Sequence, residues 1–393
     1  MNQLGRRLRI AVLNRVFSPT GGGAERYSIA LVEQLASRHD IHVFAQQIDH
    51  VWPGVTYHQI SSPLTKPRWF NQLWFATATW WATRKGFDVV HSHENTWHGD
   101  VQTVHVLPVK HNLFNGLKGL QLAFRWMKVF TSPRLLVYLW LEHMRFTVRE
   151  GRRVVVISET LQKFFTASYP KAVTITSLIT PGIDLPLLPV TSSTKKIARQ
   201  QLGLPHDKVC VLFVGNDFRK KGLTTLIKAM SLLNDDVILV VVGHSAQLPL
   251  FRKQVELGGL TRRVFFMGSL KDVTPAYQAA DCLVHPTLED TFAMVVLEAM
   301  AHGLPTIVSS AKYCGISSLL KNEATTLILK DPSNEHILVA LLKRLLVDEP
   351  LRQKISESAR NFSHSFKWEE IAKRQEHLYL TVKNSQNSPT VRF

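Results

Sequence analysis

The chain is 393 residues long and 45% apolar, enough for two domains that each bury a full core. Its 47 Lys and Arg against 30 Asp and Glu give a net charge of +17, which suits an anionic partner such as nucleic acid, an anionic membrane or an anionic small molecule. Its three cysteines, Cys210, Cys282 and Cys314, are odd in number and far apart, which argues against a disulfide framework and a thiolate metal site and fits a reducing cytosol.

Arg9-Ile-Ala-Val-Leu13 reads as a short buried strand. Asn14 and Arg15 follow at once, so no apolar signal core is expected. Phe17-Ser-Pro-Thr-Gly-Gly-Gly-Ala-Glu-Arg26 then leads into a helical pattern from Tyr27 to Leu35. Strand, glycine-rich turn and helix form the phosphate-facing first unit of a Rossmann-like half. Glycines there let the backbone approach a ligand without Cβ clashes. The turn is neither G-x-G-x-x-G nor a P-loop, so a dinucleotide or ATP site is not indicated.

Further apolar runs at 41–45, 55–60, 87–91, 101–105 and 154–157 alternate with helical stretches. That alternation predicts a parallel sheet with helices on both faces and ligands at the carboxyl ends of its strands. Two of those ends carry histidine, in Asp88-Val-Val-His-Ser-His93 and Gln102-Thr-Val-His105. A neutral imidazole can hydrogen-bond a hydroxyl there. His91 reads as a structural histidine; His93 and His105 are site candidates.

Residues 112–153 mix Lys118, Arg125, Lys128, Arg134, Arg145, Arg149, Arg152 and Arg153 with Phe114, Leu120, Phe124, Trp126, Phe130 and Trp140. Basic and aromatic residues interleaved on helices suit an anionic membrane surface. Residues 69–83, with Trp69, Trp74, Trp80 and Trp81, add a second patch. That run is shorter than the roughly 20 residues of a spanning helix, so no transmembrane segment is expected. No nucleic-acid module is recognisable, and nucleic acid is not expected as a partner.

Residues 185–196 are proline- and serine-rich and read as a linker. The second half restarts with the strand Val209–Gly215, the basic loop Asn216-Asp-Phe-Arg-Lys-Lys-Gly222 and a helix from Leu223 to Leu233. A basic loop between a strand end and a helix start suits a diphosphate. Val237–Gly243, Val264–Gly268 and Ala279–Pro286 supply further strands. Then comes Pro286-Thr-Leu-Glu-Asp-Thr-Phe-Ala-Met-Val-Val-Leu-Glu-Ala-Met-Ala-His-Gly-Leu-Pro305. Its apolar run predicts a helix from about Ala293 to His302-Gly303, with Asp290 in the preceding loop and Glu298 inside the helix. The helix start offers amides to an anion, and the two carboxylates accept hydroxyl donors. Thr306–Ser309 follows, Phe366 opens a last amphipathic helix to about Val382, and 384–393 reads as a disordered tail.

Asp290 and Glu298, with seven residues between them and Ala-Met-Ala-His-Gly-Leu-Pro after them, resemble the D/E-x7-E signature of the family 4 glycosyltransferases. Gly-Gly-x-Glu at Gly22, Gly23 and Glu25 resembles the family's first turn. Gly215 to Gly222 resembles its Gly-x5-Lys-Gly element, with wording close to bacterial lipopolysaccharide core glucosyltransferases. This sequence departs from the pattern at Asp290, usually Glu; at Asn216, usually Arg; and at Pro181, usually Asn. The resemblance covers roughly Arg9 to Val382. It implies the α/β GT-B fold: two Rossmann-like parallel-sheet domains facing a central cleft. The expected division is an acceptor domain at 1–184, the linker at 185–196, a nucleotide-sugar domain at 197–365, a helix at 366–383 crossing back to the first domain, and the tail.

The resemblance also implies roles. Asp290 orients the donor sugar, with His105 near the reacting carbon, and Lys221 and Arg219 are the phosphate cations. Gly22, Gly23, Asn216, the backbone at Ser269 and Leu270, the loop Phe292, Ala293 and Met294, and Glu298 on the ribose hold the donor. Glu25 and His93 face the acceptor. The expected reaction is retaining transfer of a hexose from a nucleotide-sugar, UDP-linked, to a lipid-linked glycan such as lipopolysaccharide core, on the inner face of the cytoplasmic membrane. No cofactor is expected, since the nucleotide-sugar is a substrate, and the lack of Asp-x-Asp indicates no metal. Two alternatives stay open: a degenerate GT-B subunit that docks on anionic membrane without catalysis, and a GT-B enzyme of another reaction, a sugar-nucleotide epimerase or a phosphorylase.

Overall fold

The computed structural model describes residues 7–19, 21–64, 66–186 and 190–387. The chain forms two compact units, Met1–Gly182 with Trp368–Phe393, and Ile183–Lys367.

The first unit runs β1 (Arg9–Leu13), β2 (Val16–Phe17), α1 (Gly23–Leu35), β3 (Asp40–Ala45), β4 (Gln47–Ile48), β5 (Val55–Gln59), α2 (Arg68–Thr83), β6 (Val89–Ser92) and β7 (Val101–Val104). It continues with α3 (Val109–Phe114), α4 (Gly119–Phe130), α5 (Pro133–Phe146), β8 (Arg153–Val156), α6 (Glu159–Ser168) and β9 (Thr176–Leu178). Seven strands make one sheet in the order β5-β3-β1-β6-β7-β8-β9, every pair parallel. The inner strands are apolar on both faces because helices cover both, and Ile10, Leu13, Val43, Val154 and Val155 are buried. The chain starts in the middle at β1, builds outward to β5, then restarts at β6 on the other side. The loops leaving β1 and β6 therefore diverge, and their carboxyl ends open a crevice.

The second unit runs α7 (Ser192–Gln201), β10 (Val209–Val214), α8 (Leu223–Ser231), β11 (Val237–Val242), α9 (Leu248–Leu257), β12 (Val264–Gly268), α10 (Thr274–Ala279), β13 (Cys282–His285), α11 (Met294–Ala301), β14 (Thr306–Ser309), β15 (Leu327–Leu329), α12 (Glu335–Val347) and α13 (Glu349–Ser363). Its six strands lie parallel in the order β12-β11-β10-β13-β14-β15. The direction of growth reverses between β10 and β13, which puts a second crevice beyond those two strand ends. The core joins β10 and β11 to α8, α9 and α12 through Phe213, Phe218, Leu226, Leu239, Phe251 and Leu342.

The last helix, α14 (Trp368–Asn387), packs on α1 and β6 of the first unit. Glu376 ion-pairs with Arg38 and meets His39 Nε2 at 2.9 Å. The Tyr379 hydroxyl lies 2.6 Å from His91 Nδ1, and Lys383 Nζ lies 2.9 Å from Asp88 Oδ1.

Two expectations shift. The linker of 185–196 is shorter, because Thr191 N-caps α7 by accepting from Thr194 N; positions 187–189 lie outside the described residues. Residues 384–387 continue α14 rather than starting the tail, and 388–393 lie outside the described residues.

Candidate functional site

The crevice of the second unit is shaped by two loops. The loop after β10 (216–222) lies against the loop after β13 (286–293). Leu288 N donates to Lys220 O at 2.9 Å, and Lys220 Nζ meets Glu289 Oε1 at 2.6 Å. Gly222 permits the approach. Its φ is +81°, and a Cβ there would sit 1.8 Å from Pro286 O. Only glycine fits such a position.

Lys221 and Asp290, placed on separate tasks by sequence, are brought together here. Lys221 Nζ lies 2.6 Å from Asp290 Oδ2 and 3.3 Å from Glu289 O. His285 Nε2 reaches the same Oδ2 at 3.0 Å. The other oxygen, Oδ1, accepts from Phe292 N at 3.2 Å and Ala293 N at 2.9 Å. Burial works against the Asp290 charge. The Lys221 ammonium and the His285 hydrogen bond outweigh it and hold the carboxyl well below the usual range. Burial also lowers the His285 pKa, against the pull of Asp290.

This pairing aims the next helix. Ala293, the N-cap of α11, holds φ +70° and ψ +68°, a left-handed conformation rare for a residue with a side chain. Asp290 over-determines it by binding two successive amides. The Phe292 side chain is itself buried, so only its backbone faces the loop. α11 starts at Met294 and α8 starts after Gly222. First-turn amides lack intrahelical acceptors and carry the positive end of the helix dipole. An ammonium and two such helix starts on neighbouring strand ends are an arrangement suited to an anion.

The remaining second-unit candidates surround this core. Asn216 follows β10 and accepts from His244 N at 3.1 Å. Arg219 is exposed in the same loop. Ser269 and Leu270 follow directly on β12. Glu298 lies on α11 and accepts from the Tyr277 hydroxyl at 2.6 Å.

In the first unit Gly22 is the N-cap of α1 and Gly23 its first residue. Glu25 folds back, its carboxylate accepting from Gly22 N at 2.8 Å, so it caps the helix. Arg15 ties the loop after β1 to the loop after β6, with Arg15 Nε 3.2 Å from Glu94 Oε2. Beneath them lies a histidine stack. His93 Nδ1 and His105 Nε2 are 2.9 Å apart with rings near parallel. His91 lies 4.2 Å from His93, centroid to centroid, with both its nitrogens bonded, to the Tyr379 hydroxyl and to Thr103 Oγ1. Burial lowers all three, His91 and His105 to about 3. They are therefore neutral at pH 7. Tyr27 closes the cluster edge-on to His105, its ring buried and its hydroxyl without a partner among the described residues.

Sequence reading missed His285, Tyr277 and Tyr27. His285 ends β13 as His105 follows β7, so the strand-end rule that flagged His105 also finds it. Tyr277 and Tyr27 sit on helix faces indistinguishable from core positions.

α4 leaves most of its apolar side chains open. Val129 is its one buried residue, while Leu120 (77% exposed), Phe124 (64%), Met127 (58%) and Phe130 (68%) lie open. α5 fastens the segment to the sheet. Buried Glu142 accepts from Val109 N, Lys110 N and the Tyr169 hydroxyl, and buried Arg145 donates to Gln102 Oε1 and Thr103 O. Among the described residues no helix is long and apolar enough to cross a membrane.

Residues 21–186 match the model of Glycosyltransferase Family 4, and residues 194–362 match that of Glycosyl transferases group 1. Among curated proteins the chain is similar to the lipopolysaccharide glucosyltransferase WaaG of Escherichia coli K12, 25% identical over 58% of this chain and 61% of that one. It is also similar to a D-inositol 3-phosphate glycosyltransferase of Corynebacterium glutamicum, 31% identical over 54% and 53%. The matches thus span about half to three-fifths of those relatives. Among solved structures, WaaG superposes with a TM-score of 0.82 at 21% identity, covering 94% of this chain and 99% of that one. Anabaena HepE in complex with UDP-glucose gives 0.75 at 18% identity, covering 95% and 100%. These likenesses establish the fold. Both halves carry recognised domains and both fold as parallel Rossmann-like sheets, so the chain belongs to the GT-B glycosyltransferases, a family 4 domain followed by a group 1 domain.

Proposed function

We propose that the protein is a retaining glycosyltransferase that moves a hexose from a UDP-sugar to a hydroxyl of a lipid-linked glycan, lipopolysaccharide core being the favoured acceptor. The observation that carries this reading is the Lys221–Asp290 pair at the sheet's reversal point, beside the starts of α8 and α11. The named activity of WaaG and the UDP-glucose bound by HepE support the donor and acceptor classes.

The donor diphosphate takes the place opposite Lys221 and the helix-start amides, with Arg219 as second cation. These groups stabilise negative charge as the bond from C1 to the phosphate oxygen breaks. The acceptor hydroxyl attacks from the same face, forming the new C1–O bond, and its proton passes to the departing phosphate. Asp290, fixed through both oxygens, sets the loop that receives the sugar. Glu298 receives the ribose. Neutral His93 and His105 offer hydrogen bonds to sugar hydroxyls without a competing charge.

The surface we assign to the first unit is an anionic membrane. The open apolar residues of α4 alternate with Lys118, Arg125 and Lys128, and Trp80 and Trp81 of α2 add aromatic area. In this reading the enzyme works peripherally, on the cytoplasmic side of the membrane.

The test is thermal stabilisation by UDP, ADP and GDP, repeated with Lys221→Ala. Binding to the folded state raises the melting temperature. A rise with UDP that Lys221→Ala abolishes supports the donor site. No rise with any nucleotide would overturn it.

A further inference from the structure

Glu298 does not stand alone on α11. The Tyr277 hydroxyl, arriving from α10, donates to Glu298 Oε2 at 2.6 Å. Tyr277 is 3% exposed, so its ring has little freedom. His302, one turn beyond Glu298, stacks flat on it, with centroids 5.2 Å apart and planes 16° from parallel. Burial lowers the His302 pKa although Glu298 and Asp272 pull the other way, so the plate is a neutral ring. The tyrosine is stacked on one face by His302 and bonded at its tip to one oxygen of the Glu298 carboxylate.

We propose that Tyr277 is the positioning residue that makes Glu298 selective for a vicinal diol, the 2′,3′-hydroxyl pair of a ribonucleotide. A carboxylate recognises a diol by accepting two hydrogen bonds in one plane, so its rotation decides whether both form. A short bond from a buried phenol fixes that rotation before the ligand arrives, which spares the ordering cost of binding. This rests on the donor-site reading above.

The test compares each nucleotide with its 2′-deoxy counterpart: UDP with dUDP, ADP with dADP, GDP with dGDP. Dissociation constants are measured for the wild type, Tyr277→Phe and His302→Asn. The wild type should prefer the ribonucleotide by about tenfold, the size of one hydrogen bond to a charged acceptor. Tyr277→Phe should cut that preference to about two- to threefold while the unliganded melting temperature stays within about 2 °C. A role confined to stability would move the melting temperature and leave the ratio intact. His302→Asn removes the plate and keeps the hydroxyl, and should give an intermediate ratio; it carries the test if Tyr277→Phe folds poorly. A wild-type ratio retained in the folded variants overturns the assignment. Failure of every nucleotide to bind the wild type overturns the donor site itself, a separate and recognisable result.

Discussion

Lys221 Nζ sits 2.6 Å from Asp290 Oδ2, joining the loop after β10 to the loop after β13 across the point where the sheet reverses direction. The lysine's charge is met by a carboxylate whose other oxygen holds two amides at the start of α11. Under the proposed function an arriving diphosphate would compete with Asp290 for one ammonium, while Asp290 would keep His285 and the amides. The pair holds the anion site together before its ligand arrives.

Asp290→Asn keeps the size and removes the charge. The pair is largely shielded, with 22% and 13% of the two side chains exposed, so the loss at neutral pH should be roughly 1–3 kcal/mol. Because the folded carboxyl is held below its usual value, its stabilisation is full above the unfolded pKa near 4 and is lost as pH falls from there toward the folded value. Melting curves of the two proteins should differ most at pH 6, and the difference should narrow progressively as the pH drops below 4. A constant difference would show that the charge is not the stabilising feature.

Gly222→Ala tests the packing of the two loops. The new Cβ meets Pro286 O at 1.8 Å in a backbone conformation alanine avoids. The loops must part, at about 2 kcal/mol or more. Nucleotide affinity should fall with stability, since Lys221 is the next residue. A variant that melts and binds like the wild type would mean the loop tolerates displacement.

Much of this was readable from sequence because period and punctuation carry it. β10 and β11 are unbroken apolar runs, and α11 ends at His302 before Gly303 as its pattern indicates. What escaped was whatever depends on sheet order. That Asp290 meets Lys221, 69 residues away, follows from β13 lying beside β10, which no local pattern states. β9 and β15 are three residues each, too short for alternation to register. Glu25 shows the converse. Its spacing from the glycines marks a ligand turn and a helix cap equally, and the structure shows the cap.

The histidine stack should make the protein acid-sensitive. His91 and His105 have folded pKa values of about 3, far below the unfolded 6.5. The unfolded chain takes up protons first, so their contribution is full above 6.5 and is lost as pH falls toward 3. At pH 5 each accounts for about 2 kcal/mol, from 1.36 kcal/mol per pH unit. The melting temperature should drop steadily from pH 7 to 5, and His91→Gln should flatten that slope. Activity should show no inflection between pH 6 and 8 from His105. A flat melting profile in the wild type would contradict the burial-driven neutrality of the stack.

The open face of α4 can be removed without touching the core. Phe124 and Phe130 are 64% and 68% exposed, so Phe124→Asp with Phe130→Asp should leave the melting temperature almost unchanged. Binding to vesicles depends on two terms: apolar side chains inserting at the headgroup boundary, and Lys118, Arg125 and Lys128 meeting anionic lipid. Sedimentation with vesicles of phosphatidylcholine and phosphatidylglycerol should fall at least tenfold in the double variant. It should fall also for the wild type in half-molar salt, where charges are screened within a few ångströms. Vesicles of phosphatidylcholine alone should bind weakly. Equal sedimentation of wild type and variant on anionic vesicles would mean that α4 faces something other than lipid, and that the basic residues alone account for the binding.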